Sequence, residues 1–134
     1  MNNGGNMHFA HIMVLVAAVL PYATVGGAKS VPGYDNTKPR DSLAALAGWR
    51  ARANWAHQNH FEAFAPFAAA VILAEISHAP QGRIDTLAGV FIAARLAYTA
   101  CYLTNAASLR SLIWMVVMTD LYLPLGGTRV QRSW

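Results

Sequence analysis

The sequence predicts an all-α integral membrane protein, built as a four-helix transmembrane bundle. Three observations predict it. Hydrophobic residues make up 55% of the 134 residues and charged residues 12%, against about 25% charged in soluble domains, and the mean hydropathy is +0.30. Four apolar segments each approach the roughly 20 residues that a bilayer crossing requires. Gly, Pro, Asn and Asp gather between those segments, where turns are needed. No internal repeat or low-complexity tract is present, so residues 1–134 read as a single domain.

The first segment is FAHIMVLVAAVLPYATVGGA, residues 9–28. Pro21 is tolerated there because neighbouring groups in a membrane bundle re-satisfy the freed carbonyl. The residues before it lack the basic stretch of a signal peptide, and no good A-x-A-like cleavage site follows, so the segment is read as retained. Residues 29–40 carry turn chemistry. From Asp41 the pattern turns helical, with Asp41 or Ser42 expected as the N-cap. The second segment runs over 54–77 with its purely apolar part at 63–74, and HAPQGR breaks it. The third covers 84–103 and the fourth 109–127. Short connections make segments two, three and four antiparallel neighbours.

Charge adds an orientation. Lys29, Lys38, Arg40, Arg50, Arg52 and Arg110 fall on one side, against Arg83, Arg129 and Arg132 on the other. The positive-inside rule therefore places the long loop in the cytoplasm and both termini outside. The net charge of +4 is not gathered into a run, which argues against a nucleic-acid footprint. The lone cysteine, Cys101, excludes an intrachain disulfide and a thiolate metal cluster, and reads as a small packing residue.

Polar side chains nevertheless enter the spans: Asn59, Glu62, Glu75, Arg95 and Asp120. A charged group at mid-membrane costs about 2.5–3.5 kcal/mol on insertion scales, so such groups face a bundle interior or a cavity. Arg52, Trp55, Asn59, Glu62 and Pro66 share one helical face at spacings of three and four, and Arg95, Tyr98 and Tyr102 share another. His57 and His60 lie off the first stripe. Arg52, Arg95 and Arg110 face a single nearby acid, Glu62, and surplus guanidinium groups suit a carboxylate-bearing ligand. Two structural alternatives stand beside that reading. Glu62 and Asn59 could pair within the bundle, or the stripe could form an oligomer interface. A metal site fails on geometry, because His57 and His60 share a face that Glu62 leaves. A Ser111 nucleophile has no base nearby in sequence.

The stretch AHQNHFEAFAPF at 56–67 resembles the second-helix signature of the MAPEG family, membrane-associated proteins of eicosanoid and glutathione metabolism. ARLAYTACYL at 94–103 and LRSLIW at 109–114 are similar to its third- and fourth-helix motifs. LPY at 20–22 followed by GYDNTKPR at 33–40 looks most like the bacterial branch. The resemblance implies a homotrimer in a bacterial inner membrane, with glutathione as co-substrate at each subunit interface near the cytoplasmic boundary. It implies contacts from Asn59 and Glu62 to the tripeptide's backbone or amino group, with His57 supporting them. Arg52 matches a basic position of the second-helix pattern. Arg95, Tyr98 and Tyr102 fall at third-helix positions, with Arg95 and Tyr102 among the groups that hold the carboxylates and thiol. Arg110 and Ser111 match the positions that stabilise the thiolate. The second substrate would be a lipophilic electrophile dissolved among the membrane lipids. The chain also departs from the pattern. Gln58 and Trp55 stand where characterised relatives carry arginines, and Tyr98 stands where some carry histidine. A non-catalytic scaffold or lipid-binding protein of the same fold is the alternative.

Overall fold

The computed structural model describes residues 7–30 and 32–126. They form α1 (Phe9–Lys29), α2 (Pro39–Ala44), α3 (Gly48–Ile76), α4 (Gln81–Leu103) and α5 (Ala107–Gly126), with no strand among the described residues. The four long helices run up and down. α3 and α4 pack together, with α1 against both from one side and α5 against both from the other. Among the described residues two helices, α1 and α4, are long and apolar enough to cross a membrane.

Small residues set the helix spacing. The buried face of α3 reads Ala53, Ala56, His60, Ala63, Phe67, Ala70 and Ala74, a repeat of three and four that faces one direction. α1 buries Ala10, Ala17, Pro21, Val25 and Ala28. Alanine on both sides lets helix backbones approach closely. The α1–α4 approach is tight enough that a Cβ at Gly89 would lie 3.3 Å from the Phe9 ring. The core centres on Phe67 and Phe91, stacked with centroids 3.8 Å apart. Outward faces carry Leu15, Val19, Ile72, Leu73, Leu96, Leu112, Trp114 and Met115, all exposed. An apolar exterior of this kind suits lipid or another subunit.

Polar groups tie the helix ends. At one end the Ala10 N–H donates to Asp85 Oδ1 at 2.9 Å, which satisfies a first-turn donor of α1 from α4. His11 Nε2 lies 2.7 Å from Glu75 Oε1 between α1 and α3, so Glu75 is paired rather than free. At the loop end Arg50 Nε donates to the Ala28 carbonyl at 3.0 Å, holding the start of α3 on the last turn of α1.

The loop region corrects one expectation. Neither Asp41 nor Ser42 caps a helix. Lys38 occupies the N-cap position of α2 and Pro39 starts it, because the fixed φ of proline is already helical. Asp41 lies in the first turn, while the Ser42 hydroxyl donates to the Asp35 carbonyl at 3.0 Å. The Thr37 hydroxyl and N–H both donate to Asp35 Oδ1, and that hydroxyl foremost holds the carboxyl below its ordinary range. α3 then starts at Gly48, whose φ of +61° turns the chain out of α2.

Candidate functional site

The polar residues of α3 and α4 meet in the half of the molecule nearer the long loop. Arg95 on α4 is 2% exposed and His60 on α3 is 3% exposed, so water does not complete their bonding. Arg95 Nε and Nη2 lie 3.2 and 2.9 Å from His60 Nδ1. A guanidinium only donates, so Nδ1 is the acceptor and the imidazole hydrogen sits on Nε2. That hydrogen is donated to Thr99 Oγ1 at 2.8 Å, and the Thr99 hydroxyl donates to the Arg95 carbonyl at 3.0 Å. The bonds close into a ring that begins and ends at Arg95.

The remaining end of Arg95 reaches outward. Its Nη1 donates to Asn59 Oδ1 at 2.8 Å, and Asn59 Nδ2 donates to Glu62 Oε2 at 3.3 Å. Glu62 is exposed and meets Arg95 only through Asn59. The guanidinium also lies over the Tyr98 ring, 4.6 Å from its centroid. Tyr98 meets Tyr102 edge to face at 5.1 Å. Arg110 at the start of α5 lies 4.6 Å over the Tyr102 ring. Cation and ring thus alternate from Arg95 to Arg110, because spacings of three and four along α4 put residues 95, 98 and 102 on one face. Tyr98, Tyr102, Arg110, Ser111, Trp114 and Met115 line an open pocket of about 440 Å³, within the usual range for small-molecule sites.

The expected site residues separate into two groups. Asn59, Glu62, Arg95, Tyr98, Tyr102, Arg110 and Ser111 lie along this one continuous strip. Ser111 is exposed at the pocket, its hydroxyl bonded to the Ala107 carbonyl at 3.2 Å. Arg52 lies just beyond the strip, donating through Nη2 to the Leu103 carbonyl at 3.2 Å at the end of α4. His57 turns away from it. Its Nδ1 bonds the Pro21 carbonyl on α1 at 2.7 Å, and its ring packs edge to face on Phe61.

His60 and Thr99 are the residues that sequence reasoning missed. Residues 53, 56, 60, 63 and 67 repeat at three and four, and His60 is the single polar member of that otherwise apolar stripe. That pattern was the available signal. Of the other polar groups within the spans, Asp120 lines a small cavity of about 20 Å³ with Phe67, Ala70, Ala74, Ile84 and Ala88. It stands apart from the strip.

Among curated proteins and among solved structures, nothing matches the chain. The sequence pattern of the MAPEG family matches residues 7–124. That span holds the polar strip of α3, α4 and α5, its cation–aromatic ladder and the two apolar helices suited to a bilayer, and on it the chain belongs to the MAPEG family of membrane proteins.

Proposed function

We propose that this protein is a glutathione-dependent membrane transferase or peroxidase acting on lipophilic electrophiles. Family membership supports a glutathione-related membrane function in general. The observation that carries the finer reading is Arg110. Among the described residues the one close contact between a basic and an acidic side chain is His11–Glu75, so the Arg110 guanidinium has no carboxylate partner there. It is held over Tyr102 at the mouth of a pocket with Ser111. A cation so placed favours an anion in the pocket.

The donor set fits glutathione as co-substrate. Arg110, the Tyr102 ring and Ser111 would take the cysteinyl sulfur, and Asn59 and Glu62 would take the amino-acid end. Arg95 and Tyr98 form the wall between them, Arg52 closes the loop end, and His57 supports α3 from behind through α1. A free thiol ionises near pH 8.5, and a neighbouring arginine favours its anion. The protein's part is to hold the sulfur as thiolate and oriented, with Trp114 and Met115 as the apolar side of the pocket. Carbon–sulfur bond formation then needs proximity rather than a covalent enzyme intermediate. The exposed apolar rim of this pocket supports its completion by a second subunit, and we assign the assembly as a homotrimer of four-helix transmembrane subunits. The long loop would face the cytoplasm of a bacterial inner membrane and both termini the periplasm.

Titrating the purified protein with glutathione while following thiolate absorbance tests this. The wild type develops the signal near neutral pH, and Arg110→Ala loses it by about tenfold or more, since one pKa unit is tenfold in thiolate at a given pH. No glutathione binding by wild type overturns the proposal. Full thiolate in Arg110→Ala overturns the role of that residue. A second reading, a non-catalytic scaffold or lipid-binding protein of the same fold, is favoured by Arg95 and Arg52. Both guanidinium groups are engaged within the protomer.

A further inference from the structure

We propose that His60 is a positioning residue that fixes the polarity of the Asn59–Glu62 pair, so that the pair takes the ammonium-bearing end of its ligand. The inference rests on the glutathione reading above and assigns a cause to its selectivity. The chain of cause starts in the buried ring. Arg95 can only donate, His60 Nδ1 accepts from its Nε edge, and Thr99 takes the hydrogen on Nε2. With that edge anchored, Nη1 points to Asn59 and can be met only by its carbonyl oxygen. The amide is thereby oriented. Its oxygen is turned inward and its NH₂ is left for Glu62 and the open side.

The exposed side of the pair then shows one donor, Asn59 Nδ2, beside the acceptor oxygens of Glu62. Glu62 accepts one weak bond of 3.3 Å, which leaves its charge available. An ammonium next to a carbonyl or carboxylate matches that pattern. Remove the acceptor at His60 and the Nε edge of Arg95 is buried without a partner, a costly state. The guanidinium then turns to the nearest carboxylate on the facing stripe, Glu62. A Glu62 neutralised by Arg95 no longer receives an ammonium.

Two measurements on the intact protein in detergent test this. The first is the ¹⁵N spectrum of histidine-labelled protein, with His60→Asn identifying the signal. Hydrogen on Nε2 supports the proposal, and hydrogen on Nδ1 overturns it whether or not any ligand binds. The second is calorimetry with glutathione and with the analogue lacking its γ-glutamyl amino group. Wild type prefers glutathione by about tenfold or more. His60→Leu brings the two affinities together, and His60→Asn, whose Oδ1 can accept in place of Nδ1, restores the preference. Should His60→Leu fail to fold, Thr99→Val removes the acceptor of Nε2–H at constant shape, and the preference falls there too. An unchanged preference in the folded variants overturns the proposal. Wild type that binds neither compound removes the glutathione reading instead, and the spectrum then decides the tautomer on which the polarity rests.

Discussion

Arg95 shows how a single side chain changes meaning between sequence and structure. As one of three arginines facing a single acid, it reads as surplus charge for a ligand. In the fold its three nitrogens all donate to His60 and Asn59, at 2.8–3.2 Å. Its face covers Tyr98. Lysine has neither the planar fork nor the stacking face. Arg95→Lys therefore lowers stability by about 3 kcal/mol, the scale of losing charge-assisted bonds in a buried setting, read from the denaturant midpoint in detergent. Of the three arginines it is Arg110 that retains an open guanidinium beside a pocket. Trp55 and Gln58 are both exposed on α3, so neither reaches the buried ring.

At the scale of elements, α3 and α4 end in the same way. Ala79 N–H bonds the Ala74 carbonyl and His78 N–H the Glu75 carbonyl, and Ala106 and Asn105 repeat the pattern on Cys101 and Tyr102. Both turns put a non-glycine residue in the left-handed region, His78 at φ 55° and Asn105 at φ 61°. Asparagine tolerates that conformation, whereas histidine strains by about 1 kcal/mol or more. His78→Gly should therefore raise the thermal midpoint and add about 1 kcal/mol; a lower midpoint contradicts the strain. The breaks after α3 and α4 were legible from HAPQGR and TNAAS. The start of α3 at Gly48 was not, since the helical pattern read from Asp41 gives no sign that α2 ends at Ala44 and a new helix begins at Gly48, where Arg50 bonds the end of α1.

For the whole molecule, the apolar exterior and the one-sided charge belong to the same physics. Basic residues gather at the end where α1 closes and α3 and α5 begin, and apolar side chains such as Leu15, Ile72, Leu96 and Trp114 cover the flanks. A reporter active only in the cytoplasm, fused after Trp134, should stay inactive, and one inserted between Lys38 and Pro39 should be active. The reverse pattern would invert the proposed orientation. The strip from Glu62 to Arg110 lies toward the basic end, so the same experiment tells which compartment supplies a water-soluble ligand.

Composition and helical periodicity were enough for the helical class, the membrane setting and the stripes 52–66 and 95–102, because hydrophobic content and the 3.6-residue repeat are properties of the chain itself. The motifs at 56–67, 94–103 and 109–114 together pointed to the family, which the match over residues 7–124 shows. How those stripes share their hydrogen bonds was decided only by tertiary structure. Whether Arg95 meets a ligand or His60, and whether His57 serves the pocket or Pro21, depends on helix rotation and on which donors find acceptors. Buried polar groups must be satisfied by whichever partner packing brings within about 3 Å, and no local pattern in one helix records what the next one offers.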